Sequence, residues 1–220
     1  MTASELINEN IHVLRITDTV ECAIDLLCQQ GMSELPVVLN KKLYNYARLD
    51  LLYAIDDKSQ ELKTVLKENP HAAIVMAHSH IYELIPLLAT NQLTAIAVCN
   101  NNFDFLGVVD QKRINEIITN SLTYRGFGAV IVLNVPSSDY APSIIARWVE
   151  ENGAKVLGMM VTQMQESRLR VNIKLNTTQV RSIIANFQRQ GFQVEQVYMA
   201  EDSNEDNSRA VDMALRFFDL

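Results

Sequence analysis

The hydrophobic positions between residues 35 and 47 form two short runs on either side of a polar turn. In order, the segments are Leu-Pro-Val-Val-Leu at 35–39, Asn-Lys-Lys at 40–42 and Leu-Tyr-Asn-Tyr-Ala at 43–47. Two apolar runs around a polar turn predict a β-hairpin. The pattern returns 61 to 62 positions later, with apolar runs at 96–99 and 105–109 around three asparagines at 100–102.

The repetition extends upstream of both hairpins. Each hairpin follows a short apolar run and an apolar helix, predicted at 12–16 and 20–30 in the first copy and at 72–76 and 81–91 in the second. At an offset of 61, Val20 falls on Ile81 and Leu27 on Leu88. A weak repeat of this length indicates an internal duplication.

Strand, helix, hairpin and closing helix in this order resemble the CBS domain, and two copies resemble a CBS pair. The resemblance covers roughly residues 1–120 and implies a regulatory module that often binds adenosine nucleotides in its clefts. A short leading helix at 1–9 is then expected to pack against the module. We predict a first domain at 1–122, with repeats at about 1–58 and 59–122, and a boundary at 123–126.

A different pattern follows, and it predicts a second domain at 126–200. Strands are predicted at 129–135, 155–163, 169–176 and 192–199, with helices at 139–152 and from 177 or 178 to 190. Asp139 is the expected N-cap of the first of these helices, and Thr177 or Thr178 that of the second. The order βαββαβ is the ferredoxin-like arrangement, so the predicted fold class is α/β (α+β), a CBS pair followed by a ferredoxin-like domain.

The βαββαβ order also resembles the ACT domain, a small regulatory unit that often binds amino acids. A CBS pair followed by an ACT-like domain resembles the acetoin-utilisation-type CBS proteins of bacteria. Ligand-binding ACT domains often carry a glycine just after the first strand. Residues 136–143 contain none, and Pro142 stands about where it would be.

Charge and composition exclude several classes of protein. The net charge is −7, and no segment has the basic footprint of a nucleic-acid-binding protein. No apolar run of about 18 residues occurs, so no membrane span is expected. The chain start has no signal-peptide pattern. Cys22, Cys28 and Cys99 lie in apolar runs and are expected to be buried in a reducing cytoplasm.

The last twenty residues, 201–220, are set apart by their charge. They carry 2 Lys+Arg against 6 Asp+Glu, for a net charge of −4. Within them, a C-terminal helix is predicted at 208–220, with Val211, Leu215 and Phe218 on one stripe. An acidic tail is therefore predicted, with its role open.

The nucleotide motif of CBS domains reads Gly-x-x-Thr/Ser-x-x-Asp, and both repeats depart from it. The first repeat has Arg48 at the hydroxyl position, with Asp50 one place before the ribose carboxylate. The second keeps Gly107 but has Asp110 for the hydroxyl and Arg113 for the carboxylate. We therefore expect AMP or ATP to bind weakly or not at all. Arg48 and Arg113 either meet another anion or are ordinary surface cations.

No phosphate loop, nucleophile elbow or metal-ligand spacing occurs, so neither an enzyme nor a metal site is predicted. Two functions stay open. One is a regulatory sensor of a nucleotide-like or other small anionic ligand, with Arg48, Asp50, Asp110 and Arg113 in its clefts. The other is a degenerate scaffold for dimerisation or protein interaction without ligand. Because helices 20–30 and 81–91 carry more apolar surface than one core needs, a homodimer is expected.

Overall fold

A computed structural model describes residues 1–163 and 167–199, in two compact units at 1–118 and from 119 onward. The elements of the first unit, including the helix that leaves it, are α1 (Ala3–Leu6), β1 (Leu14–Arg15), α2 (Val20–Gln30), β2 (Glu34–Leu39), β3 (Lys42–Arg48), α3 (Leu49–Tyr53), α4 (Leu62–Val65), β4 (Ile74–Met76), α5 (Ile81–Asn91), β5 (Ala95–Cys99), β6 (Phe105–Asp110) and α6 (Gln111–Asn120). The leading helix α1 is thus shorter than the predicted span of 1–9.

The two repeats have the same architecture. Their sheets have the orders β1-β2-β3 and β4-β5-β6, with the first strand parallel to the second and the hairpin antiparallel. Val37 pairs with Asn45, and Val98 pairs with Gly107. In each hairpin the register shifts immediately after this pair. The predicted duplication is confirmed, and this is the architecture of a CBS-domain pair.

Each repeat is completed by the segment that precedes the other repeat. The N–H of Ala3, in α1, donates to the carbonyl of Ser79 in the second repeat at 2.8 Å. The N–H of Leu62, in α4, donates in the same way to Asp18 in the first repeat at 2.8 Å. The leading segment therefore contacts the second repeat, and the linker contacts the first. Because of this exchange the two repeats are joined, and residues 1–118 form one compact unit.

Buried polar side chains connect the two hairpins. The hydroxyl of Tyr46 donates to the carbonyl of Ala73 at 2.7 Å and accepts the N–H of Ala97 at 2.9 Å. Burial raises the pKa of Tyr46. Glu34, only 3% exposed, accepts hydrogen bonds from the hydroxyl of Thr94 at 2.8 Å and from its N–H. Buried polar groups with satisfied partners favour one arrangement of the two sheets over others.

The expected burial of all three cysteines is wrong for two of them. Cys99, in β5, is buried, whereas Cys22 and Cys28 are exposed. Helix α2 buries the stripe Val20, Ala23 and Leu27. At 100° per residue, Cys22 lies about 130° from the centre of that stripe and Cys28 about 110° from it on the opposite side. The apolar run in α2 therefore did not mean that every side chain of this helix is buried.

The second unit contains α7 (Leu122–Arg125), β7 (Ala129–Pro136), α8 (Pro142–Glu151), β8 (Val156–Gln163), β9 (Arg168–Leu175), α9 (Arg181–Arg189) and β10 (Gln193–Met199). Its four strands form an antiparallel sheet with the order β10-β7-β9-β8. That is the ferredoxin-like topology predicted from the βαββαβ order. Along β9 the side chains alternate, since Val171, Ile173 and Leu175 are buried and the residues between them are half-buried.

Both helix caps predicted for the second unit are wrong. Helix α8 begins at Pro142, and its N-cap is Ala141 rather than Asp139. A residue before proline is excluded from the helical region, and Ala141 accordingly has the extended angles φ −136° and ψ 107°. Helix α9 begins after Val180, because the hydroxyl of Thr177 accepts the N–H of Gln179 at 3.0 Å and closes a turn first.

Helix α7 ends at Arg125, so it covers most of the segment 123–126 where a domain boundary was predicted, and the boundary stays a prediction. The predicted helix at 208–220 lies outside the described residues.

Candidate functional site

The candidate site is a cleft of about 390 Å³ at the N-terminus of α6, here called the α6 cleft. Its lining comes from the leading segment on one side and from α6 on the other: Ile7, Asn8, Glu9 and Asn10, then Lys112, Arg113 and Glu116. The exchange of leading segments brings these residues together, since the N–H of Asn8 donates to the carbonyl of Val108 at 2.9 Å. The cleft therefore joins the start of the chain to the end of the second repeat.

Asp110 lies next to this cleft and connects its two sides through hydrogen bonds. One carboxylate oxygen accepts the N–H of Arg113 at 2.7 Å, which caps α6. The other accepts the side-chain amide of Asn8 at 2.7 Å. The residue is only 3% exposed. Both oxygens are occupied by the protein, so the geometry gives Asp110 a structural role and leaves little capacity to bind ribose hydroxyls.

Gly107 also serves the leading segment. A Cβ placed on it would stand 2.6 Å from Cγ2 of Ile7, well inside van der Waals contact. The glycine of the nucleotide motif is thus retained at the position where Ile7 crosses β6. Close backbone approach explains this glycine without a ligand.

The charges around the cleft are mixed. Arg113 forms an ion pair with Glu116 at 3.7 Å, and both side chains are almost half exposed. Lys112 forms no ion pair with any residue in the described parts of the chain. Glu9 contributes a further carboxylate to the lining. Lys112 is consequently the cation most available to an incoming anion.

The predicted site residues of the first repeat lie elsewhere and contact each other. The guanidinium of Arg48 reaches the carboxylate of Asp50 at 3.3 and 3.4 Å, on an exposed surface. Although desolvation opposes the shift, hydrogen bonds from Arg48 and from the N–H of Leu51 hold the pKa of Asp50 below its usual value. Arg48 is therefore already neutralised by its neighbour.

A second cleft in the first unit, of about 540 Å³, lies beside β1 and contains neither Arg48 nor Asp50. It is lined by residues 12–17 and 38–41, including Arg15 and Lys41. Of the four predicted residues, Arg113 lines the α6 cleft, Asp110 is buried next to it, and Arg48 and Asp50 form a surface pair elsewhere. A ligand-binding role for any of the four stays a prediction.

Sequence reasoning missed Asn8, Glu9, Asn10 and Lys112. Asn8 lies 102 positions before its partner Asp110, and no local pattern connects the two. The one available signal was the expectation that the leading helix packs against the module. Combined with the repeat, that expectation points to residues 7–10 as part of the lining of a cleft in the module.

The described residues contain neither a metal-ligand cluster nor a membrane-spanning helix. Within residues 1–163 and 167–199, no group of three or more His, Cys, Asp or Glu side chains is placed to hold a metal ion. In the same ranges, no helix has the length and hydropathy to cross a membrane.

Comparison with known proteins gives structural likenesses only. No protein-family model and no curated protein matches the chain. A CBS domain pair/ACT domain protein from Thermotoga maritima is 14% identical and covers 54% of this chain and 96% of its own, with a TM-score of 0.48. The CBS domains of a transcriptional regulator from Streptococcus pneumoniae are 20% identical, covering 53% and 98%, with a TM-score of 0.46. CBSX2 in complex with AMP is 16% identical, covering 53% and 95%, with a TM-score of 0.46.

These neighbours are CBS-domain proteins, and each spans just over half of this chain. The fold assignment rests on the strand orders and registers described above.

Proposed function

We propose that this chain is a non-catalytic, cytoplasmic regulatory module that senses a small anionic ligand in the α6 cleft. The observation that supports it is the meeting of the leading segment with Lys112 and Arg113 in one cleft. A ligand bound there touches both the start of the chain and the end of the second repeat. It would therefore stabilise the conformation in which the leading segment contacts the second repeat over conformations in which that contact is open. Such a shift in conformational populations would transmit the binding event.

The residues of the cleft favour a phosphate-like group over a complete nucleotide. Lys112 and Arg113 are two neighbouring cations in the first turn of a ten-residue helix, and both line the cleft. Asp110 has both oxygens engaged, which removes the usual ribose partner. Glu9 and Glu116 oppose a highly charged ligand. The proposed ligand is thus a small anion of low charge, with AMP and ATP as weak binders.

A thermal-shift series on the full chain tests this proposal. Inorganic phosphate, AMP, ATP, carboxylic acids and amino acids are compared at equal ionic strength, because a ligand of the native state must raise the Tm. We expect a small anion to raise the Tm, and Lys112→Ala to remove most of the rise. Arg48→Ala is the matched control, since Arg48 is paired outside the cleft.

Equal loss in Lys112→Ala and Arg48→Ala would place the effect outside the α6 cleft. A tight response to AMP or ATP that persists in Lys112→Ala would contradict the ligand class. If no compound in the series shifts the Tm, the sensor proposal fails and the scaffold described next takes its place.

The second candidate is a homodimeric scaffold, and exposed apolar side chains favour it. Helix α5 leaves Tyr82 79% exposed and Ile85 39% exposed. In the first repeat, Leu51 and Tyr53 of α3 are 57% and 58% exposed. We infer that a second copy covers these helices through a twofold contact. Sedimentation of the full chain at tens of micromolar should show a dimer, and the double variant Tyr82→Glu, Ile85→Glu should be a monomer. A wild-type monomer would exclude this candidate.

We further propose that the second unit is an ACT-like domain and that the whole chain is of the acetoin-utilisation type. The ferredoxin-like strand order supports the first part of that statement. We also propose that the regulated partner is a protein and not a nucleic acid, because a chain with a net charge of −7 is poorly suited to bind a phosphate backbone. The amino-acid arm of the thermal-shift series tests the ACT-like assignment. A response that survives in Lys112→Ala would support a site in the second unit.

A further inference from the structure

The first repeat contains the cleft of about 540 Å³ beside β1, here called the β1 cleft. Its apolar side chains come from two segments of the chain: Val13, Leu14, Ile16, Val38 and Leu39. Arg15 and Lys41 are the permanent cations among its described lining residues, and none of those residues carries a carboxylate. In the α6 cleft, by contrast, Glu9 and Glu116 offset the positive charge. The β1 cleft therefore combines an apolar wall with positive charge that its own lining does not neutralise.

Neither cation of the β1 cleft has an ionic partner among the described residues. Arg15 and Lys41 are both exposed, and neither forms an ion pair in the parts of the chain that the structure describes. Two neighbouring carboxylates have other partners. Asp18 accepts the backbone N–H of Arg15 at 2.7 Å, and Asp104 pairs with Lys42 at 3.0 Å. The guanidinium of Arg15 and the ammonium of Lys41 are thus available to an anion that enters the cleft.

The fold itself requires neither of these two charges. Asn40 and Lys41 form the two-residue turn between β2 and β3, with φ of 49° and 62°. Such a turn favours glycine at its second position, because a Cβ is crowded in the left-handed region. At the offset of 61, the counterparts of Arg15 and Lys41 in the second repeat are Met76 and Asn102, which are uncharged. The same architecture therefore forms without the two cations.

The backbone beside the cleft is already hydrogen-bonded, which argues against a peptide strand as the occupant. The N–H and the carbonyl of His12 both bond the side-chain amide of Gln30, at 2.8 and 3.0 Å. The N–H of Arg15 is taken by Asp18, and the carbonyl of Ile16 accepts a backbone N–H from the linker at 3.0 Å. Strand addition depends on open backbone groups at a sheet edge. The occupant is therefore held by side chains.

We propose that the β1 cleft binds a small amphipathic acid, a molecule with an apolar chain and one terminal carboxylate. The chain lies against the apolar wall, and the carboxylate faces Arg15 and Lys41. A carboxylate is favoured over a more highly charged group because the protein has a net charge of −7. The volume suits such a molecule, since small-molecule pockets typically span about 300–1,000 Å³. No residue lines both this cleft and the α6 cleft, so the two proposals stand independently.

An NMR titration of the full chain tests the proposal with three probes at equal ionic strength. Octanoate carries both the chain and the charge, octanol carries only the chain, and acetate carries only the charge. We expect octanoate to shift the amide resonances of residues 12–17 and 38–41. Octanol and acetate should each bind at least about tenfold more weakly, because each lacks one half of the interaction.

Three variants locate the site. Arg15→Gln and Lys41→Gly should each weaken octanoate binding at least about fivefold, whereas Lys112→Ala, in the α6 cleft, should leave it unchanged. Because glycine suits the left-handed backbone at position 41, a loss of binding in Lys41→Gly is not a loss of folding.

Several results would overturn the proposal. Octanoate affinity that is unchanged in both Arg15→Gln and Lys41→Gly would show that these cations do not bind the carboxylate. Acetate or octanol that binds as tightly as octanoate would show that the occupant is not amphipathic. Binding lost in Lys112→Ala would place the site in the α6 cleft, and resonance shifts confined to other residues would place it elsewhere.

Discussion

The ends of the two hairpins occupy equivalent positions in the repeats but are stabilised in different ways. In the first repeat, Arg48 and Asp50 form an exposed ion pair. In the second, Asp110 is buried, caps α6 and holds Asn8 of the leading segment. The same contrast recurs inside the strand. Asn45 donates from its side chain to the carbonyl of Lys67 in the linker at 2.8 Å, whereas its counterpart Gly107 makes room for Ile7.

The comparison shows how a duplicated fold diverges. Backbone contacts to the exchanged segments are kept in both copies, as the matching hydrogen bonds of Ala3 and Leu62 demonstrate. The side chains at the strand ends then adapt to whichever segment crosses them. A departure from a ligand motif can therefore reflect a new intramolecular partner, as Asp110 and Gly107 do here.

The largest expected effect concerns the two hydrophobic clusters of the first unit, one in each repeat. Leu27 and Leu88 are equivalent, with exposures of 0% and 2%. Either Leu→Ala change should cost about 2–5 kcal/mol of unfolding free energy, measured by urea denaturation of the full chain. Because the leading segments are exchanged, each should lower a single transition of the first unit.

The control for this pair is Gln29→Ala, an exposed position on the same helix as Leu27, which should change little. A separate early transition in either Leu→Ala variant would show that the repeats unfold independently.

A smaller effect on the free energy of unfolding should distinguish the carboxylates at the two hairpin ends. Asp110→Ala removes the cap of α6 and the partner of Asn8, which should cost about 1–3 kcal/mol. Asp50→Ala should leave the midpoint of unfolding unchanged, because its ion pair with Arg48 is exposed to water. Chemical denaturation of both variants side by side provides the measurement. Similar losses from the two changes would contradict the assignment of Asp110 as the structural carboxylate.

The smallest effect concerns the contact between Gly107 and Ile7. Gly107→Ala should cost about 1–2 kcal/mol, because the new methyl group must displace the Ile7 side chain. In the double variant with Ile7→Ala, most of that cost should disappear. A double-mutant cycle by urea denaturation measures the coupling. Simple additivity of the two changes would mean that Ile7 moves aside at no cost.

Several features of this protein were determined by its sequence alone. Apolar residues recur with a period of two in strands and 3.6 in helices, so their pattern predicted the strands and the helices. The order of those elements then predicted the ferredoxin-like sheet of the second unit. The offset of 61 revealed the duplication, which the equal burial of Val37 and Val98 confirms. These features depend on neighbours within a few positions, or on comparing one copy with another.

The candidate site could be predicted only in part for the same reason. Asp110 and Arg113 lie three positions apart on a strand-to-helix junction, and the motif comparison found both. Arg48 and Asp50 were found by the same comparison but pair with each other outside the α6 cleft. The motif comparison located these side chains along the chain, but it did not show what each of them contacts in the fold.

The tertiary structure decided which distant segments meet. Asn8 and Asp110 are 102 positions apart, and their contact exists because the leading segment crosses to the second repeat. The exposure of Cys22 and Cys28 was decided by which stripe of α2 faces the sheet. Local periodicity says that a helix has an apolar face. Only the path of the whole chain determines what that face touches and which polar groups are left to bind something else.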